Sequence, residues 1–484
     1  MGTPIAANRI VLDKTKESGS RISAVLLFLL ILAVCAGPRL RVSGDGPDRI
    51  DIRYQDILLI PAMFHLAVSN AGRLKLQLFR VIGYKLPFFI VGAVLVTIIV
   101  TFFTPDISPV RRAFFLGRGM ELFIIASVAA GLFISAKPAM ASRAALRAVY
   151  AAAYGNAAWM LYQLATGDEG TLLGASVGAT IESYGPKLIG EGSAFGTGQF
   201  FAFTAAVTVA QMRAKYGNRF FAAVLLGVSA WGAWISESRI SIGIVMLCVA
   251  VLLILGANKG RVLNIGRTGV ALILGWLGVE FVLPQLQGRQ SVEGVEAGVD
   301  VRIEEVWEPL MDVIGDAPLL GAGAGGLVGD LPVEAHNIYL RAVTDYGLIV
   351  GPIFILIFFT AMRRAFRASK NVELSTSTRF FANVAFLTVL GILVSGFVQD
   401  ALTGVMSSHL TMIAIGLFAG AIASSQEEPV AAVEPAVRRS RNGRLQTPPR
   451  RALSRPSSVK YPRPATPSTI RLSFLASNKS ALLA

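Results

Sequence analysis

Apolar residues run in long blocks through the first 424 residues of the chain. Most blocks approach the roughly 20 residues that a helix needs to cross a bilayer. A block such as 88–103 lacks the alternating polarity of a membrane β-barrel strand. Backbone inside lipid must pair its own polar groups, so the blocks predict helices. The pattern predicts an all-α, polytopic membrane protein with about 12 transmembrane helices. The predicted spans are 22–38, 55–69, 86–104, 119–136, 146–166, 197–213, 219–236, 240–256, 268–285, 337–361, 380–398 and 405–424.

These spans divide the chain into three parts: an amino-terminal segment at 1–21, a membrane domain at 22–424 and a tail at 425–484. The tail is rich in Arg, Pro and Ser without apolar periodicity, which predicts a disordered basic segment. We interpret it as a tail that touches anionic lipid, and a nucleic-acid or regulatory role stays open. The long n-region before the first span favours a retained helix over a cleaved signal peptide.

Composition agrees with a membrane protein, because 54% of the residues are hydrophobic and only 15% are charged. A soluble protein carries about 25% charged residues. The net charge of +15 comes largely from short basic stretches between spans and from the tail. An even number of spans puts four basic stretches on one side together with both termini, and the positive-inside rule makes that side cytoplasmic. The four stretches are 70–85, 213–219, 257–267 and 362–379.

The opposite, outer side holds the loops 167–196 and 285–336. The longer loop, 285–336, contains ten acidic residues and two arginines. Two other outer segments depart from the rule, since 39–54 has four arginines and 105–118 has three.

Cysteine and histidine usage gives no sign of a metal site. Cys35 and Cys248 lie in apolar runs and are expected to be small core residues. The three histidines, His65, His336 and His409, are widely separated in the sequence.

The first candidate for chemistry is the polar turn Ser236-Glu237-Ser238-Arg239 between two predicted spans. The topology puts this turn on the outer side. Arg239 is either a snorkelling side chain paired with Glu237 or a ligand for phosphate, which a guanidinium binds through two parallel hydrogen bonds.

The second candidate lies in the long outer loop. Apolar residues at 303, 306, 307, 310, 311 and 314 have helical spacing and predict a surface helix against the bundle, bent at Pro309. Trp307 is expected to be an interface anchor. Arg302 either pairs with its acidic neighbours or binds a ligand. The Gly-rich run 321–326 that follows contains G-x-G-x-x-G, but no strand precedes it. It therefore predicts a flexible turn that lets backbone approach a ligand rather than a dinucleotide site.

The third candidate is His336, at the start of the tenth predicted span. It is either an interfacial histidine or a general base, because imidazole titrates near neutral pH. Asn337 and Tyr339 offer further polar contacts. Asp345 lies nine residues later, about 13 Å along a helix, and at that depth we expect it to have a partner.

In this order, the motifs resemble those of the O-antigen ligase and O-antigen polymerase superfamily, which includes bacterial exopolysaccharide polymerases. The matching residues are Arg302, Trp307, Pro318 to Gly323, His336 to Leu340 and Asp345 to Gly351, preceded by the turn Ser236 to Arg239. The resemblance covers about residues 140–420.

The resemblance implies a GT-C-like glycosyltransferase of the bacterial inner membrane, with its active site in the periplasm. Its donor is a glycan on a polyprenyl diphosphate, and it transfers with inversion and without a metal or other cofactor. Arg239 and Arg302 bind the diphosphate, and His336 is the catalytic residue. Supporting contacts come from Ser236, Glu237, Asn337, Tyr339 and Asp345, although the acid near position 345 is often glutamate in the family.

The residues leave the acceptor open. A polymerase transfers to another lipid-linked repeat unit, and a ligase transfers to the lipid A core. We favour a polymerase of exopolysaccharide or O-antigen, whose further partners are membrane lipid and a chain-length regulator or export protein. Nucleic acid is not expected as a partner. From another class, a transporter or flippase of lipid-linked glycan is the alternative, but charges at the outer boundary favour the enzyme.

Overall fold

The protein is described by a computed structural model that covers residues 4–37, 39–43, 50–69, 109–167, 172, 186–190, 194–236, 238–255, 302–323, 336–399 and 405–427. Helices account for 86% of the interpretable residues. Contacts divide the chain into two units, Met1–Pro429 and Val430–Ala484. All of the described elements belong to the first unit.

Numbered along the described part of the chain, the helices are α1 (Pro4–Ala36), α2 (Tyr54–Val68), α3 (Pro109–Ser135), α4 (Pro138–Thr166), α5 (Ala194–Ala214), α6 (Arg219–Ile235), α7 (Arg239–Leu255), α8 (Glu308–Asp316), α9 (Ile338–Lys370), α10 (Thr376–Ser395) and α11 (Val405–Glu427). A helix covers ten of the predicted spans. The other two, 86–104 and 268–285, lie outside the described residues, as does the tail beyond 427. Helix α1 begins at Pro4, so most of the predicted amino-terminal segment at 1–21 is helical as well.

Four of the described helical segments are long and apolar enough to cross a membrane: Ser18–Ala36, Ile338–Lys370, Thr376–Ser395 and Met406–Ser425. The apolar helices indicate a membrane protein.

One pair of strands interrupts the predicted all-α pattern. Strands β1 (Arg39–Ser43) and β2 (Ile50–Arg53) are antiparallel, with Leu40 opposite Ile52 and Arg41 opposite Asp51. The helical prediction placed this segment in a loop. The strands alternate polar and apolar residues, and the sequence between them contains Gly, Asp and Pro, which favour turns.

Small residues let the helices of the bundle approach closely. A Cβ atom placed on Gly416 of α11 would collide with the carbonyl oxygen of Ala126 in α3, and one on Gly420 would meet Phe133. The Phe133 ring in turn packs edge-on against Phe381 of α10, with centroids 5.1 Å apart. Such contacts are characteristic of helix association in membranes, where close packing replaces the hydrophobic driving force.

Helix α9 breaks at Gly347, whose φ of 72° and ψ of 174° are not helical. The loop 317–323 docks onto this break. The backbone N–H groups of Ala322 and Gly323 donate to the carbonyl oxygens of Thr344 and Asp345, at 2.8 and 3.1 Å. In return, the N–H of Leu348 donates to the carbonyl oxygen of Pro318 at 2.8 Å. The Gly-rich turn therefore pairs the backbone groups that the break exposes.

Close backbone approach explains why glycines occupy both sides of this contact. A Cβ atom on Gly347 would overlap the carbonyl group of Leu319, and one on Gly321 would lie 2.5 Å from the backbone nitrogen of Gly347. Gly321 also has a positive φ of 74°. The approach that the sequence predicted toward a ligand is thus an approach to α9.

We expect Gly347→Ala to destabilise the protein markedly. Its backbone conformation is essentially restricted to glycine, which adds about 1–3 kcal/mol of strain, and the new methyl group meets backbone that cannot move aside. Thermal unfolding in detergent would measure the loss. The matched control is Gly243→Ala in α7, where a Cβ meets nothing within 4 Å and helix propensity gains about 1 kcal/mol. Equal melting temperatures for the two variants would contradict this account.

Candidate functional site

The turn between α6 and α7 carries the first group of predicted site residues. Ser236 ends α6 and is buried, with its hydroxyl donating to the carbonyl oxygen of Ala233 at 2.8 Å. The hydroxyls of Ser238 and Ser241 are 2.7 Å apart. Gly198 of α5 faces this serine pair so closely that a Cβ there would lie 2.5 Å from each of them. Glu237 lies outside the described residues.

Arg239 is the first residue of α7 and is half-buried. It stands where the unpaired N–H groups of a helix start and the positive end of the helix dipole both favour an anion. The turn therefore combines a guanidinium, a helix amino terminus and two hydroxyl groups.

Arg302 precedes a π-helical turn, Ile303–Trp307, that leads into α8. The wide turn closes with the N–H of Glu308 donating to the carbonyl oxygen of Ile303. Pro309 stands at the start of α8, where its missing N–H breaks no helical hydrogen bond. The bend expected at this proline stays a prediction.

The predicted surface helix does pack against the bundle. Val306 and Leu310 are buried together, in contact with Trp307, Val313 and Leu340 of α9. This apolar contact fixes the segment that begins with Arg302 beside the start of α9.

Arg302 itself is half-buried, while Glu304 and Glu305 are exposed. Within the part of the chain that the structure describes, its guanidinium has no salt-bridge partner. Burial lowers the pKa of Arg302, yet an arginine stays protonated in proteins. The site therefore keeps a partly desolvated positive charge that its acidic neighbours leave unpaired.

His336 lies at the start of α9 in a left-handed conformation, with φ of 48°, and is half-buried. Such a conformation is uncommon for a residue with a side chain. The residues that follow hold it in place. Asn337 caps α9, because its side-chain oxygen accepts from the N–H groups of Tyr339 and Leu340 at 2.9 and 3.1 Å.

The same residues tie α9 to the end of α10. The Asn337 amide donates to the carbonyl oxygen of Phe397 at 3.1 Å, and the Tyr339 hydroxyl donates to that of Leu393 at 2.7 Å. The rings of Tyr339 and Phe397 are 4.7 Å apart. The polar groups of Asn337 and Tyr339 are thus used within the protein, where they hold the start of α9 against the end of α10.

Asp345 has an ion-pair partner, as expected for a carboxylate at this distance along the helix. Its carboxylate accepts from Nε of Arg341, one helical turn earlier, at 2.7 Å, and both side chains are largely buried. The sequence reasoning missed Arg341, although the i,i+4 spacing of opposite charges was a usable signal. The pair lies directly before the break at Gly347.

These elements meet around one end of α10. Gly391 of α10 lies against Ile244 of α7, five residues after Arg239, and Leu393 and Phe397 hold the start of α9. The segment of Arg302 packs on Leu340. The structure therefore puts Arg239, Arg302 and His336 on neighbouring elements at the same end of the bundle.

A further polar cluster connects α2, α3 and α11. The Gln55 amide nitrogen donates to Nδ1 of His409 at 2.8 Å, and Nε2 of the same ring lies 3.3 Å from Oε1 of Glu121. Because an amide NH₂ only donates, Nδ1 must accept, and the neutral ring carries its proton on Nε2. Gln55 and His409 are buried. No sequence signal pointed to this cluster, since its members are separated by up to 354 positions.

A metal site needs several ligating side chains close together. The described residues contain no group of three or more His, Cys, Asp or Glu side chains able to hold a metal ion. The metal-free chemistry implied by the family resemblance stays a prediction.

No family model and no curated protein matches the chain. The resemblance to the O-antigen ligase and polymerase superfamily therefore rests on the motifs alone.

Substitution of the Arg341–Asp345 ion pair on α9 tests whether the pair stabilises the protein. Asp345→Asn is expected to destabilise the protein by about 3–5 kcal/mol, because it leaves the Arg341 charge buried without its carboxylate. The double variant Arg341→Gln with Asp345→Asn should recover much of the loss. Thermal unfolding of the single and double variants checks this, and singles as stable as the wild type would show that the pair contributes nothing.

Proposed function

We propose that this protein is a membrane glycosyltransferase that polymerises polyprenyl-diphosphate-linked repeat units into a surface polysaccharide. It would have about 12 spans and a GT-C-like architecture, with both termini in the cytoplasm and the active site on the periplasmic side of the inner membrane. The observation that supports the proposal best is the convergence of Arg239, Arg302 and His336 on elements that meet around one end of α10.

The two arginines suit a diphosphate leaving group. Each guanidinium binds phosphate oxygens through two hydrogen bonds. Arg302 needs no other ion pair to be broken first, within the described residues. Its partial burial strengthens the attraction to an anion because the local dielectric is lower than in water.

The reaction uses the remaining residues in defined roles. An acceptor sugar hydroxyl attacks the anomeric carbon of the donor, and the bond from that carbon to the phosphate oxygen breaks. The electron pair leaves with the lipid diphosphate, whose new charge Arg239 and Arg302 stabilise. His336 takes the proton of the attacking hydroxyl. Attack opposite the leaving group inverts the anomeric configuration.

The position of His336 agrees with the role of a general base. Its backbone is held in a strained conformation by the Asn337 cap and by the contacts of α9 with α10. Strained backbone of this kind is concentrated at functional sites. Asn337 and Tyr339 would then act as positioning residues.

A ligase uses the same donor and differs only in its acceptor, the sugar of the lipid A core. Deletion of the gene separates the two. A polymerase deletion shortens the surface glycan to one repeat unit, whereas a ligase deletion leaves the lipid A core uncapped. A chain-length regulator or export proteins are the expected partners of a polymerase.

A transporter or flippase for lipid-linked glycan is the second candidate, and two observations favour it. Helix α9 is broken at Gly347 beside a buried ion pair, and broken helices carry the substrate sites of many transporters. The buried cluster of Gln55, Glu121 and His409 resembles the side-chain chains that relay protons in pumps. Vesicles containing the purified protein decide between them: glycan elongation supports the enzyme, and translocation without elongation supports the transporter.

If both arginines bind diphosphate, Arg239→Lys and Arg302→Lys should each reduce elongation strongly. A lysine keeps the charge but loses the two-pronged hydrogen bond, and one such contact contributes about 2–4 kcal/mol at the transition state. The assay uses purified variants and lipid-linked repeat units, and Arg143→Lys, an exposed arginine bonded to its own helix, is the control. Full activity in both site variants would reduce the two arginines to structural roles.

His336→Ala and His336→Asn should insert and bind donor but elongate at less than about one per cent of the wild-type rate, since a general base contributes about 10²–10⁴-fold. The matched control is His65→Asn, because His65 bonds to Ser23 of α1 at 2.8 Å, away from the elements of the site. The assay is run without added metal and again with a chelator. Near-normal elongation by His336→Ala, or wild-type activity that collapses with the chelator, would remove this mechanism.

A further inference from the structure

A small, partly open cavity lies between four helices, one turn along from the serine pair and Arg239. Helices α5, α7, α10 and α11 line it, and it has room for a water-sized group. Gln199 follows Gly198, which touches Ser238 and Ser241, and Ile244 lies one helical turn after Ser241. The cavity therefore begins where the polar turn ends.

Two polar groups at this cavity lack hydrogen-bond partners among the residues that the structure describes. They are the buried amide nitrogen of Gln199 and the buried hydroxyl of Thr388. Gln199 is 4% exposed and Thr388 is 8% exposed. A buried polar group without a partner is strongly unfavourable, so each such group in a native protein calls for an occupant or a function.

Thr411, another threonine that lines the cavity, does have a hydrogen-bond partner for its hydroxyl. Its hydroxyl donates to the carbonyl oxygen of Ser407, one turn earlier on the same helix, at 2.7 Å. Thr204 on α5 does the same with Phe200 at 3.0 Å. Thr388 lines the cavity without making such a bond, so its hydroxyl is left for something inside.

The lining defines the chemistry of that occupant. Over the described part of the chain, the residues around the cavity are apolar or neutral and none is charged. A phosphate, carboxylate or cation would stay uncompensated there. The Gln199 amide nitrogen only donates, whereas a threonine hydroxyl both donates and accepts. A hydroxyl oxygen satisfies both groups.

We propose that this cavity binds one neutral hydroxyl group, which accepts from the Gln199 amide and pairs with the Thr388 hydroxyl. The hydroxyl belongs either to a bound water molecule or to a sugar of the glycan. The first source is independent of the proposed function, and the second rests on it.

The test compares two isosteric substitutions in the same cavity. In an occupied cavity, Thr388→Val removes a bond to the occupant and lowers the melting temperature of the purified full-length protein in nanodiscs. We expect a drop of roughly 2 °C or more relative to the wild type, in the same direction as the drop of Thr411→Val, which loses its bond to Ser407, and the same direction for Gln199→Met. In an empty cavity, the valine replaces an unpaired hydroxyl and the protein becomes more stable. A melting temperature of Thr388→Val above that of the wild type therefore overturns the proposal.

Cryo-electron microscopy maps of the wild type distinguish the two sources. Density between Gln199 and Thr388 without added glycan identifies water. Density that appears only with lipid-linked repeat units, together with a raised KM of Thr388→Val for them and not of Thr411→Val, identifies a sugar hydroxyl. A cavity empty in both maps overturns the proposal. Since melting and the glycan-free map need no turnover, the water site can stand or fall separately from the glycosyltransferase.

Discussion

The backbone hydrogen bonds across the break in α9 hold in place the elements that carry the candidate site residues. A helix that is interrupted inside an apolar bundle exposes N–H and C=O groups that lipid cannot satisfy, so other parts of the protein must pair them. Here Ala322, Gly323 and Leu348 satisfy them through the loop that precedes α9. The bonds require backbone to touch backbone, and this explains the glycines at 321 and 347.

Once the loop is fixed on α9, the positions of the candidate site residues follow. Helix α8 and Arg302 come before the loop in the chain and pack on Leu340. His336 comes after it and is oriented by the Asn337 cap. The Arg341–Asp345 pair lies between the cap and the break. The same short piece of α9 thus anchors the segment of Arg302, a histidine and a buried ion pair.

Burying an ion in an apolar medium is unfavourable, and the charged residues of the bundle are placed accordingly. Asp345 is buried next to Arg341, and His409 is buried next to Glu121 and Gln55. Arg239 and Arg302 remain half-buried at the ends of their elements. The first two groups are internally compensated. Arg302 has no carboxylate partner within the described residues, which agrees with the proposed anionic ligand.

The sequence by itself determined the helices and the candidate residues at their ends. Long apolar runs dictate helices because backbone in lipid has no other partner, and helical spacing in 303–314 correctly predicted a surface segment on the bundle. Ser236, Arg239, His336 and Asn337 were recognisable because they are local interruptions of apolar runs. Their catalytic and binding roles stay predictions.

Only the tertiary structure decided which distant residues meet. The break at Gly347, the cluster of Gln55, Glu121 and His409, and the cavity of Gln199 and Thr388 have no local signature. Gln199 and Thr388 look like ordinary polar residues in apolar helices, and only the packing leaves the Gln199 amide nitrogen and the Thr388 hydroxyl without a partner among the described residues. The physical reason is that apolar periodicity reports which face of a helix is buried, whereas hydrogen bonds and cavities depend on which other helix faces it.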